Sequence, residues 1–133
     1  MLRLQARSQH RSQRGAAVVD FVLVLLVLVP LFLGILQVAL VLLVRNSLAS
    51  AASEGARLSA TADRGPGDGA ALAREQVAQT IGGRYAQDVR VRRVLVDGAP
   101  GVEVTMHARV PALGIGGPAV ELDVSGHAVE ESP

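Results

Sequence analysis

Cysteine is missing from all 133 residues. The chain therefore has no disulfide framework, no thiolate metal site and no cysteine nucleophile. Export is not excluded by this, because many exported domains lack disulfides. Lysine is missing too, and all 13 basic residues are arginine. A P-loop, a Schiff-base lysine and a Ser-Lys dyad are thereby ruled out. Tryptophan is absent and aromatics make up 2% of the residues, so there is no aromatic belt of the kind that flanks many membrane spans. Both phenylalanines, Phe21 and Phe32, lie in one apolar run, and Tyr85 is the single aromatic from Asp63 to the end. A soluble part of 71 residues with so little bulk is expected to be marginally stable and to lean on a helix or on neighbouring subunits.

Charge is also missing, entirely, from Phe21 to Val44. As a helix those 24 residues extend about 36 Å, enough to cross a hydrocarbon core of about 30 Å with some tilt. A domain of this size has no core able to cover such a rod on every side, which argues against a buried soluble helix. Pro30 would break a helix in water; in a membrane it gives a kink whose freed carbonyl finds a local partner. Gly34 follows one turn later. Gln37, the other polar residue of the run, reads as a tolerated group near the far leaflet. Asp20 stands just inside the apolar stretch, where a carboxylate costs about 2.5–3.5 kcal/mol on insertion scales, less near the interface. Something is expected to offset that cost.

The arginines are unevenly placed. Arg3, Arg7, Arg11 and Arg14 precede the span with no acid among them, whereas the chain from Arg45 onward holds 9 Arg and 11 Asp or Glu. This bias predicts a single-pass protein of the cell (inner) membrane, N-terminus cytoplasmic and C-terminus extracytoplasmic. A nucleic-acid-binding arm is the competing reading of the leader, but no aromatics are interleaved with its arginines. A cleaved secretory signal is another, with Ala49-Ser50-Ala51 as its small-residue site, but its apolar part should be only about 7–15 residues.

Beyond Arg45 the chain is rich in Ala and Ser. Leu48, Ala52, Ala56 and Ser59 recur at helical spacing, predicting one continuous rod to about Thr61 with a face of small side chains. Such a face suits packing against copies of itself; equally, it can be covered by the strands that follow. Glu54 and Arg57 are spaced to pair on the surface. Asp63 to Gly69 is a loop by its Gly and Pro content. Asp68 is expected to cap a second helix from Gly69 to about Ile81, stopped by Gly82-Gly83.

The final fifty residues read as strands. Val89–Val96 leads to a turn at Asp97–Gly101. Val102, Val104, Met106, Ala108 and Val110 then alternate with Glu103, Thr105, His107 and Arg109. After Pro111–Pro118, the residues Val120, Leu122 and Val124 alternate with Glu121 and Asp123. The fold class predicted is α+β: a long N-terminal transmembrane helix continuing into an Ala/Ser-rich helix, a short helix, and an antiparallel sheet of about three strands with one dry face. The expected divisions are a basic leader 1–15, a transmembrane helix 16–44, a helix extension 45–62 and a small α+β domain 63–133.

No catalytic constellation is found, so no enzyme activity is expected. His107 and His127 lie on different strands and have no third partner at metal-ligand spacing. Residues 114–118 are glycine-rich, but no helix follows to hold phosphate. Arg90, Arg92 and Arg93 are expected to pair with cross-strand acids such as Glu103, Glu121 and Asp123 rather than with nucleic acid. No cofactor and no metal are implied. What remains is chemistry done to the chain. If the bond after Gly15 is cut, Ala16 carries a new α-ammonium, and Asp20, one turn on, can pair with it in the same chain or in the next. A Gly before the cut suits entry of an extended chain into a protease cleft.

Arg14-Gly15-Ala16-Ala17-Val18-Val19-Asp20-Phe21, then Pro30, Gly34-Ile35, and Ala51-Ala52-Ser53-Glu54-Gly55-Ala56-Arg57 together resemble the TadE-like family within the type IV prepilin class. Members look like R-G-x-x-x-V-E-F, an apolar span, and A-A-x-E-G-A-R on the helix beyond. The resemblance covers about residues 14–62. It implies a minor pilin or pseudopilin of a tight-adherence (Flp) pilus system, taking part in pilus biogenesis. A dedicated prepilin peptidase would cut after Gly15, and the mature form would meet other pilin-like subunits, the assembly machinery and the lipid bilayer, with a place in the pilus open to it. Glu54, Gly55 and Arg57 carry the family's helix motif. Asp20 stands where the family has glutamate and is one methylene shorter. The alternative is an uncleaved single-pass anchor displaying a small β-rich binding domain.

Overall fold

The computed structural model describes residues 6–61, 63–113 and 117–130, with side chains from residue 15 onward. The elements are α1 (Ala6–Ala60), α2 (Pro66–Thr80), a 3-10 turn at Gly83–Tyr85, β1 (Asp88–Val96), β2 (Ala99–Val110) and β3 (Val120–Val129). The sheet is antiparallel with order β1-β2-β3, so the α+β class expected from the sequence is the one observed. Two compact units divide the chain, Met1–Leu36 and Gln37–Pro133.

The first unit contains the N-terminal part of α1. Its described side chains from Val18 to Leu36 are exposed on every side of the helix, apart from the half-buried Leu33. Apart from the carbonyl that Pro30 leaves without its usual donor, the helix closes its own backbone hydrogen bonds, so an environment that offers no hydrogen bonds costs it little there. Pro30 is accommodated without ending α1.

The second unit holds the core. From α1 come Val44, Leu48, Ala51, Ala52 and Ala56; from α2, Ala70, Ala73 and Val77; from β2, Val104, Met106 and Val110. With few large side chains available, the elements approach closely instead. A Cβ on Gly126 would lie 2.5 Å from the Ala52 carbonyl carbon and the Ser53 nitrogen, so α1 presses directly on β3. A Cβ on Gly55 would lie 2.7 Å from the Gly69 carbonyl oxygen, and one on Gly69 would strike Gly55 and Ser59. The small-residue face of α1 is thus used up within the chain, by α2 and the sheet.

Several expectations shift by a few residues for identifiable reasons. The second helix starts at Pro66, not Gly69, because proline is pre-organised for a first helical position. Asp68 is not the cap. It sits in the first turn, and its carboxylate accepts the Gly65 N–H at 3.0 Å, half of a capping box. Gly82, at φ +105°, follows the helix as the Gly-Gly stop predicts. The five-residue turn contracts to Asp97-Gly98, with φ of 52° and 84°, a two-residue hairpin of the I′ kind; Ala99–Gly101 join β2.

Candidate functional site

Gly15, Ala16 and Asp20 all lie in α1 and are exposed. Four residues apart on one helix, Ala16 and Asp20 stand one above the other. Gly15 has no neighbour within 4 Å of a Cβ position. As an interior glycine it costs the helix about 1 kcal/mol against alanine. Of the leader arginines, Arg3 lies outside the described residues. Arg7, Arg11 and Arg14 fall on α1, and their side chains lie outside the described set. The alternative cut at Ala49–Ala51 falls inside α1, and Ala51 is buried in the core.

The second motif has a packing role. Gly55 is buried at the crossing with α2. Glu54 does not pair with Arg57: its carboxylate accepts the Gln76 side-chain amide from α2. Arg57 is exposed and forms no ion pair among the described residues. The spacing allowed the Glu54–Arg57 pair, but the arrival of α2 offered Glu54 a partner held by backbone packing.

Gln37 also makes specific contacts. Its amide donates to the Pro111 carbonyl at 3.3 Å and its oxygen accepts the Leu113 N–H at 2.7 Å. The expectation of an idle polar group overlooked that a loop 74 residues away would run beside it.

The outer face of the sheet is a ladder of cross-strand polar pairs. Glu103 is buried between Arg92 Nε and His127 Nε2, the latter at 3.1 Å. The Arg92 hydrogen bond, outweighing an opposing effect of burial, holds the Glu103 carboxyl below the usual range for glutamate, with a smaller contribution from His127. His107 pairs with Asp123, and Arg109 with Glu121 at 2.6 Å. Arg92–Glu103 is a pair the sequence anticipates. Glu121 and Asp123 instead serve β2, because β2 lies between them and β1. Arg90 turns to Asp88 on its own strand, and Arg93 reaches Glu130 at 3.2 Å. His107 and His127 are each taken by a different carboxylate, and no metal-binding group of three or more His, Cys, Asp or Glu lies among the described residues.

A helix with a window of mean hydropathy 2.9 and none of that window buried, leading into a small α+β unit, has the architecture of a membrane-anchored protein. Residues 15–57 match the family model of TadE, described as TadE-like protein. The match starts at the glycine of the first motif and ends at the arginine of the second, the stretch on which the resemblance rests. No curated protein and no solved structure matches the chain.

Proposed function

We propose that this chain is a minor pilin or pseudopilin in the biogenesis of a tight-adherence (Flp) pilus, cut after Gly15 by a prepilin peptidase and acting as a structural subunit rather than as an enzyme. In this reading the leader faces the cytoplasm, α1 crosses the inner membrane, and Gln37–Pro133 is displayed outside. The observation that carries it is Asp20: an exposed carboxylate immediately before the uncharged run of α1, one turn from Ala16, within the segment that matches TadE. Cutting after Gly15 turns a mid-helix aspartate into one near a helix N-terminus. There the helix dipole and the new α-ammonium both favour its charge. In the intact chain neither is present.

The test is mass spectrometry of the mature protein from cells that contain the matching peptidase. A chain beginning at Ala16 is expected, and Asp20→Ala is expected to abolish assembly. An intact Met1 end with an indifferent Asp20→Ala variant rejects processing and leaves an uncleaved anchor displaying a binding domain.

A further inference from the structure

The loop after β2 is built for the membrane surface. From Pro111 to Val120 the sequence carries no charge, and two of its residues are prolines, which have no backbone N–H to satisfy. Leu113 is 41% exposed and Val120 37%. Among the described residues of the loop, the Pro111 carbonyl and the Leu113 N–H are bonded by the Gln37 side chain. That pairing places Pro111–Leu113 beside residue 37 of α1. Around the same turns α1 exposes Val38, Leu42 and Leu43, and its first charge after the apolar run is Arg45.

Helix length sets where that level falls. The 21 residues from Ala16 to Leu36 extend about 32 Å along α1, close to the hydrocarbon thickness of about 30 Å. With Ala16–Leu36 spanning the bilayer, rather than the whole of the expected 16–44, Gln37 stands at the boundary between acyl chains and headgroups. Irregular backbone is tolerated at that depth only where its polar groups are satisfied. Gln37 does this for the Pro111 carbonyl and the Leu113 N–H, and they do it for the Gln37 amide.

We infer that Pro111–Leu113 and Gly117–Val120 form a second membrane contact, seated on the phospholipid headgroup–acyl boundary beside Gln37. This rests on the reading of α1 as a membrane anchor. The contact fixes how the sheet stands over the bilayer, because a single helix leaves the domain free to rotate and tilt, whereas a second point of attachment removes that freedom.

The absence of cysteine makes the test clean. Leu113→Cys, Leu28→Cys and Leu95→Cys are prepared in the full chain, each spin-labelled at its one thiol and reconstituted into phosphatidylcholine–phosphatidylglycerol vesicles. Relaxation by oxygen, which concentrates in lipid, is compared with relaxation by a water-soluble nickel chelate. Leu28 reports the anchor, and Leu95, 75% exposed near the hairpin tip, reports water. The label at 113 is expected to be oxygen-accessible, with nickel accessibility several-fold below that at 95. Nickel accessibility at 113 equal to that at 95, with the label at 28 still in lipid, overturns the inference and leaves the anchor standing. Low access to both reagents at 113 means a protein neighbour covers the loop, and also overturns it. Nickel access at 28 removes the anchor and the inference together.

Discussion

The two ends of α1 are both hydrophobic, but for different reasons. From Phe21 to Leu36 the helix is apolar all round, and its large side chains, Leu33 apart, lie exposed. From Val44 to Ala60 one face of mostly small residues is buried while Arg45, Glu54 and Arg57 point outward. The first pattern suits a surrounding of lipid, which rewards apolar surface in every direction. The second suits a domain poor in bulky residues, which gains its packing by bringing backbones close together. One helix thus shows that hydropathy alone does not locate a core. The size of the side chains and the width of the apolar face separate the two uses.

Glycine substitutions break this comparison most sharply. At Gly126 a Cβ meets backbone atoms of Ala52 and Ser53 at 2.5 Å, and backbone cannot rotate away. Gly126→Val is expected to cost more than about 4 kcal/mol, the range of severe overpacking, and so to unfold the sheet. At Gly34 nothing lies within 4 Å of a Cβ. Gly34→Val is expected to change stability by less than about 1 kcal/mol. Hydrogen exchange of the β2 and β3 amides, measured on the full chain in micelles, distinguishes the two. Equal protection in both variants would mean that α1 does not press on β3.

Large-to-small changes give the next largest contrast. Met106 is fully buried under the helices, and Met106→Ala is expected to lose about 2–5 kcal/mol. Leu26, 68% exposed on the span, has no protein partner to lose, and Leu26→Ala is expected to stay within about 0.5 kcal/mol in the same micelles. A large cost at Leu26 in a purified single chain would show that the exposed half has a protein contact after all.

Much of this was legible in the residues. The uncharged run announced the long apolar helix, the period-2 alternation of Val102–Val110 announced β2 and its buried face, and Gly82-Gly83 announced the end of α2. Three features were not legible, because each depends on where a distant segment arrives. Gln37 looked idle until the loop at Pro111–Leu113 stood beside it. Glu54 looked paired with Arg57 until α2 brought Gln76. The small face of α1 fitted self-association and intramolecular packing equally well, since both reward close approach. Gly126 did leave a signal: a glycine inside a strand marks either a bulge or a close backbone approach.

A smaller effect follows from Glu103, on the outer face of the sheet. Its carboxyl is held below the ordinary glutamate range by Arg92, so folding favours the ionised form. The stabilisation is complete above the unfolded value of about 4.3. It declines as pH drops through the interval beneath that and is gone below the depressed folded value. Unfolding followed from pH 7 to pH 3 is expected to show a steeper acid loss in the parent than in Glu103→Gln. Parallel curves would mean that the Arg92 contact does not distinguish folded from unfolded chain.

The smallest expected effect concerns Ser59, at the crossing of α1 and α2. Its hydroxyl is buried, has no hydrogen-bond partner among the described residues and lies against Gly69. A buried hydroxyl without a partner keeps its desolvation cost and gains nothing in return. Removing it while keeping the Cβ leaves the close approach intact, so Ser59→Ala is expected to raise stability by about 1 kcal/mol. Exposed Ser53, a turn and a half earlier, has no such cost to recover, and Ser53→Ala is expected to change stability by less than about 0.5 kcal/mol. Slower exchange of the α2 amides in Ser59→Ala alone supports the small-residue crossing as a packing device. Faster exchange would show that the hydroxyl holds α2 through a hydrogen bond, and that polarity as well as size governs the buried face of α1.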